Sequence, residues 1–256
     1  MYRKIVFLGA ASFLLLGASC SSSYQVVGVS RTRILVDSSY DARPDAAAAA
    51  FIEPYKHKVD SVMSPIVGRA DAYMSASRPE STLSNLLADI LLDAGAAYGE
   101  HPSFAVYNMG GIRAAIAKGD ITYGDVLDVA PFENKICFVT LRGDKVLELF
   151  RQMASVGGEA VSRGVRLVIT ADGKLVSAQV DGKDVVPDAE YRIATLDYLA
   201  QGNDKLEAFK SSTNVNSPST ADNNVRFIIM KYMKSKLAKG QAVGSKIEGR
   251  IKIEGK

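Results

Sequence analysis

Apolar residues recur at helical spacing in several stretches of the chain. Over residues 46–63, Phe51, Ile52, Tyr55, Val59, Val62 and Met63 share one side of a 3.6-residue repeat, which predicts a helix that Pro54 would kink. Residues 83–94 carry Leu83, Leu86, Leu87, Ile90, Leu91 and Ala94 on one face, after the polar cap Arg78-Pro79-Glu80-Ser81-Thr82 and before a stop near Gly95. Thr122 suits the N-cap of a short helix over residues 123–129, which ends because Pro131 disfavours helical geometry in the residue before it. Residues 144–153, with Val146, Leu149, Phe150 and Met153 inward, and residues 225–237 complete the helices.

Between them lie short runs of strand length and composition at residues 103–107, 135–141, 165–170, 175–180 and 191–195. The loop Ala171-Asp172-Gly173-Lys174 joins two of these as a hairpin. Residues 31–37 read as a further strand and residues 245–253 as an edge strand. Helices and strands are interleaved, with both hairpins and longer connections, so the expected fold class is α+β: a single domain, residues 50–256, with a mixed β-sheet packed by helices.

The 256 residues are 47% hydrophobic and 23% charged, in the range of ordinary globular proteins. Lys and Arg number 31 against 28 Asp and Glu, and no basic run is interleaved with aromatics, so a nucleic-acid partner has no electrostatic basis. A small charged metabolite fits better.

At the N-terminus, Arg3 and Lys4 precede an apolar stretch too short to span a bilayer, and Gly17-Ala18-Ser19-Cys20 follows. Residues 1–19 read as a signal peptide, with Cys20 a lipidation site resembling a bacterial lipobox cysteine. Gly17 stands where a lipobox usually has a large aliphatic residue. Residues 20–49 become a lipidated N-terminus and spacer, and the protein an exported cell-envelope lipoprotein, attached to the membrane by its lipid alone. The other cysteine, Cys137, sits in Ile136-Cys137-Phe138-Val139 and reads as a small buried hydrophobe in a strand.

The strand at residues 103–107 breaks into Asn108-Met109-Gly110-Gly111-Ile112-Arg113, whose paired glycines permit positive φ and close approach of backbone to a ligand. Further on come Ile121-Thr122-Tyr123-Gly124-Asp125-Val126-Leu127, then Ala130-Pro131-Phe132-Glu133-Asn134, then Leu199-Ala200-Gln201-Gly202-Asn203-Asp204. Taken singly these residues have ordinary readings. Phe132 and Tyr198 would be core aromatics, Asn108 a turn cap, Arg113 a solvated cation and Asp204 an exposed turn residue. In this order, and with the stretch from Glu80 to Asp89, they resemble the signature of the 5′-nucleotidase C-terminal domain family over about residues 55–253.

By that resemblance Asn108, Gly110, Gly111 and Arg113 would hold polar groups of a substrate, Phe132 and Tyr198 would sandwich a nucleobase, and Asp204 would accept from ribose hydroxyls. Arg78 lies one residue from the family's phosphate-contacting arginine. The chain departs from the pattern at Ser84-Asn85-Leu86, where the family has Gly-Asn-Leu, and at Gly202-Asn203-Asp204-Lys205-Leu206, where the family is richer in glycine.

Enzymes of the family place a two-metal site in a separate N-terminal metallophosphoesterase domain, because such chemistry needs clustered Asp, His and Asn ligands to activate water and neutralise phosphoryl charge. The two histidines here, His57 and His101, have no such context and read as surface residues. The sequence therefore predicts no catalytic residue, no metal ligand and no cofactor in this chain, with divalent metals expected only in a partner. Two readings stand: the nucleotide- or nucleoside-binding half of a 5′-nucleotidase-type hydrolase in nucleotide catabolism, working with a separately encoded metallophosphoesterase, or a non-catalytic nucleoside- or nucleotide-binding envelope lipoprotein. A structural lipoprotein with a decayed pocket is the third.

Overall fold

The computed structural model describes residues 24–255 except residue 43. The signal peptide and Cys20 lie outside the described residues. The described residues form two units, which divide between residues 51 and 52.

In the first unit, residues 24–36 have no regular structure, so the strand expected at 31–37 is not formed. Ile34, Leu35 and Val36 are exposed, and an apolar run without a pairing edge gains nothing from extending. Asp37 instead caps a short 3-10 turn, Ser38–Tyr40, by accepting from the Ser39 amide. Asp45 accepts from the Ala47 and Ala48 amides, at 2.9 and 3.0 Å, and so starts helix α1 (Ala46–Met63). The helix continues through Pro54.

In the second unit the elements are β1 (Ile66–Ala70), α2 (Thr82–Ala94), β2 (Phe104–Tyr107), β3 (Gly119–Thr122), α3 (Tyr123–Val129), β4 (Ile136–Arg142), α4 (Gly143–Ser155), β5 (Ala160–Val161), β6 (Val165–Ile169), β7 (Leu175–Val180), β8 (Lys183–Asp184), β9 (Glu190–Leu196), α5 (Asp197–Ala200), β10 (Thr213–Asn216), α6 (Val225–Leu237) and β11 (Ile251–Ile253). The expected mixed sheet has the order β10-β4-β9-β2-β5, in which only β2 and β9 run parallel. Two smaller sheets, β11-β6-β7-β8 and β1-β3, accompany it.

The central strands are buried on both faces. Phe104 of β2 packs on Phe150 of α4, ring centroids 5.4 Å apart. Phe138 of β4 meets Tyr98, just beyond α2, at the same spacing. Register places Phe104 beside Ile193, itself paired with Val139, and Ala105 beside Ala194, itself paired with Phe138. The two phenylalanines therefore point to opposite faces, one covered by α4 and the other by the α2 layer. Cys137 is buried in β4, as expected, and burial pushes its thiol pKa up.

Local chemistry sets the helix ends. Ser81 and Ser84 form a reciprocal capping box at the start of α2, and Thr122 and Asp125 do the same for α3. One buried cation locks the C-terminal strand to this frame: Arg250, 1% exposed, grips both Asp89 oxygens at 2.8 Å and donates to the Val161 carbonyl at 2.9 Å. Glu80 adds a second clasp, accepting from the amides of Glu248 and Arg250 and from the Asn85 side chain. Breaking one member of a buried ion pair strands the other charge. Arg250→Met is therefore expected to lower unfolding free energy by about 3 kcal/mol, read by urea titration; a loss under about 1 kcal/mol would show that the pair is not holding β11.

Candidate functional site

Sheet topology decides where the signature loops meet. β2 and β9 are neighbours and parallel, so the loops that follow them leave the same edge of the sheet. β4 is antiparallel to β9, with Ile136 opposite Leu196, so the loop that precedes β4 emerges at that edge too. The three segments carrying Asn108, Phe132 and Tyr198, far apart in sequence, thus converge at the carboxyl ends of two parallel strands, where α/β sheets commonly bind ligands.

Each loop is held by polar contacts to its backbone. Arg226, at the start of α6 and 9% exposed, donates to the carbonyls of Ala130, Pro131 and Phe132 at 2.9, 2.6 and 3.3 Å. Asp197 accepts from the amides of Lys135 and Tyr198 at 3.0 and 2.8 Å, tying the second loop to the third. Glu159, 2% exposed, accepts from the Met109 amide at 2.5 Å and pairs with Arg78. Burial pushes the Glu159 carboxyl above its ordinary pKa, opposed by the Met109 amide and Arg78.

The contacts meet at Asp204. One oxygen accepts from the Tyr198 hydroxyl at 2.9 Å and the other from the Asn108 side-chain amide at 2.7 Å. The hydrogen bond to Asp204 raises the Tyr198 phenol pKa, with lesser contributions from burial and from the carboxylate's charge. A cleft of about 200 Å³ opens here, lined by Asn108, Gly110, Phe132, Asn134, Tyr198 and Asp204. Phe132 and Tyr198 remain 48% and 37% exposed. Among the described residues the two rings make no ring contact with each other.

Of the residues singled out from sequence, the structure brings Asn108, Gly110, Phe132, Tyr198 and Asp204 around this cleft. Gly111 lies beneath it: a methyl group there would sit 2.5 Å from Asn108 Oδ1, so glycine is needed for close approach. Its role, like that of Gly110, is not positive φ, since neither glycine has one. Positive φ occurs instead at Asp204 and Lys205, at 54° and 64°. Asn108 Oδ1, buried against Gly111, has no hydrogen-bond partner among the described residues. Arg113 is exposed, does not line the cleft, and reaches only the Gly110 carbonyl, at 3.4 Å. Arg78 does not line the cleft and is paired with Glu159.

Sequence reasoning passed over Glu159, Arg226, Asp197 and Asn134. Asn134 belongs to a quoted motif and carries that signal; Glu159 and Arg226 act on backbone groups distant in sequence, and Asp197 on the distant Lys135 amide as well as its neighbour's, and these contacts leave none. A larger groove, about 540 Å³ between α2 and α6, contains Tyr98, Phe227 and Tyr232 but no signature residue.

Among the described residues no group of three His, Cys, Asp or Glu stands together. His57 is exposed on α1, 3.0 Å from Glu53, and His101 is exposed before Pro102. No described helix is long and apolar enough to cross a membrane.

Comparison with known proteins agrees with the motifs. The chain is 28% identical over 206 residues to the 5′-nucleotidase of Vibrio cholerae, covering 77% of this chain and 36% of that protein. It is 33% identical over 171 residues to Protein UshA of Yersinia enterocolitica, covering 64% and 30%. A 5′-nucleotidase precursor from Thermus thermophilus superposes with a TM-score of 0.71 at 26% identity, covering 84% of this chain and 45% of that one. The chain thus spans about a third of the length of these curated relatives. The family model for the 5′-nucleotidase C-terminal domain matches residues 66–211, more than half of the chain, and the chain belongs to that family.

Proposed function

We propose that this chain binds the nucleoside part of a nucleotide, as the binding half of a 5′-nucleotidase-type phosphoester hydrolase whose metal chemistry comes from a separately encoded metallophosphoesterase. The observation that carries the reading is the cleft itself: two half-exposed aromatic faces, Phe132 and Tyr198, beside a carboxylate fixed by Tyr198 and Asn108. Stacking on aromatic faces contributes about 1–3 kcal/mol per base and tolerates any base. At about 200 Å³ the cleft is smaller than the roughly 300–1,000 Å³ of drug-sized pockets and suits one ring system. Asp204 offers the acceptor that vicinal hydroxyls need. Export, with anchoring through Cys20, completes the reading and would set the chain among extracytoplasmic nucleotides.

Titration of the purified chain with adenosine is the direct test. Phe132→Ala is expected to weaken binding roughly 5- to 100-fold, the equivalent of one lost stacking face, with little change in melting temperature because the ring is half exposed. No measurable adenosine binding, or binding indifferent to this substitution, would end the reading.

The two glycines separate close approach from cleft space. Gly110→Ala adds a methyl in ordinary contact, 3.7 Å from Asp204 Oδ2, so it is expected to fold normally and bind adenosine more weakly. Gly111→Ala displaces Asn108 and is expected to lower stability by about 1–3 kcal/mol, the usual cost of overpacking. Equal melting temperatures for the two variants would contradict the geometry.

Phosphate release from AMP in the presence of Mn²⁺ or Zn²⁺ tests autonomy. The chain alone is expected to release none above buffer, and a metallophosphoesterase lacking its own C-terminal domain is expected to restore release when added. Sustained turnover by the pure chain would overturn the two-chain reading.

A further inference from the structure

Charge is nearly balanced over the whole chain but not along it. Residues 223–247 contain six cations, Arg226, Lys231, Lys234, Lys236, Lys239 and Lys246, and no Asp or Glu, whereas acidic residues outnumber basic ones in the rest of the chain. This stretch is α6 and the loop that leads on towards β11. Val225, Arg226, Ile229, Met230 and Met233 are buried, so Lys231, Lys234 and, just past the helix end, Lys239 stand on the opposite side and are exposed, as is Lys246.

Arg226 is committed to the loop carbonyls, and the Lys236 ammonium lies over the Tyr232 ring, 5.4 Å from its centroid. The lysine ion pairs among the described residues, Lys56–Asp60, Lys145–Glu148, Lys174–Asp172 and Lys210–Glu207, all lie elsewhere. Of the two carboxylates lining the neighbouring groove, Asp93 is paired with Arg163 and Asp222 precedes the helix. The helix macrodipole favours cations in a last turn. That accounts for Lys234 and Lys236 but not for Lys231 before them or for Lys239 and Lys246 beyond the helix end.

A row of unpaired ammonium groups calls for counter-charge from outside. From Lys231 to Lys239 the row runs about 12 Å at the helical rise, longer than one phosphate can bridge, so an extended anionic surface matches it better than a small anion. Tyr232, the aromatic within the row, is half buried beneath Lys236 and offers no platform for bases. We propose that the solvent face of α6 and the loop after it form a docking surface for anionic lipid headgroups, a second membrane contact beside the lipid expected at Cys20. The apolar face of α6 stays packed on the protein, so the contact is electrostatic, without insertion, and is weakened by salt. It needs neither the cleft nor a bound nucleoside.

The test is co-sedimentation of the full chain, carrying C20S to prevent acylation, with vesicles of phosphatidylcholine alone or of phosphatidylcholine and phosphatidylglycerol in equal parts. At low ionic strength the anionic vesicles are expected to bind about a hundredfold more tightly than the neutral ones, from roughly fivefold per lysine held near the surface, and the preference is expected to shrink as salt is raised. K231Q/K234Q/K239Q is expected to remove most of that preference without lowering the melting temperature, since all three side chains are exposed. The charge-matched variant K58Q/R151Q/K183Q, altered at exposed positions elsewhere, is expected to keep it.

Equal binding to the two kinds of vesicle overturns the inference, because any contribution of the apolar N-terminal stretch is common to both. A preference that survives in K231Q/K234Q/K239Q, or that falls as far in the charge-matched variant, overturns it as well, as does tighter binding to duplex DNA than to the anionic vesicles at the same salt. Loss of adenosine binding bears on the cleft alone and leaves this surface untouched.

Discussion

The parallel pairing of β2 with β9 is the constraint on which the site depends. Phe104 opposite Ile193 and Ala105 opposite Ala194 fix the register, and the register sets the height at which each strand releases its loop. A slip of one residue would move a loop by about 3.3 Å and turn every side chain to the other face. Burial of both faces forbids that slip. Phe104, packed on Phe150, would trade places with a small residue, Ser103 or Ala105, so packing in the core and placement of the loops are one requirement.

On that edge the loops converge on Asp204, whose two oxygens take one donor from each side of the cleft. The carboxylate can do this because its backbone adopts left-handed geometry, continued by Lys205. Glycine would enter that region freely, whereas Asp and Lys enter at a cost of order 1 kcal/mol each. The glycine-poor stretch 202–206 thus carries left-handed backbone on two non-glycine residues, with the two hydrogen bonds to Asp204 offsetting part of the strain. At Gly111 no such substitute exists, because the limit there is the 2.5 Å approach of Asn108 rather than a dihedral angle.

What could be read from sequence follows from how local each cause is. α3 and α6 match their expected ranges, and α2 starts at its polar cap, because periodicity and caps act within one or two turns. β7 likewise matches, since its hairpin partner is adjacent. β10 is exposed throughout and carries Thr213, Asn214 and Asn216, so no apolar pattern announces it; only the free edge of β4 makes it a strand. β1 and β3 pair across an intervening helix and are equally silent alone. Residues 31–37 show the converse, an apolar run that no edge receives. In the site, the meeting of Phe132, Tyr198 and Asp204 around one cleft was legible through ordered motifs, whereas Arg226 and Glu159 were not, because their partners lie 95 and 50 residues away, respectively.

Those silent residues bear on how so shallow a cleft could serve the proposed binding. The rings of Phe132 and Tyr198 are half exposed and gain little from protein neighbours, so their readiness for a ligand rests on the backbone beneath them. Arg226 holds three successive carbonyls of one loop, and Asp197 joins the amides of both. Ordering a flexible loop on binding would cost about 1–2 kcal/mol per residue, enough over a few residues to cancel the stacking energy of a base. If the cleft takes a planar ligand as proposed, loops already ordered by Arg226, Asp197 and Glu159 would spare it that cost, and the modest stacking energy would be left to appear as affinity.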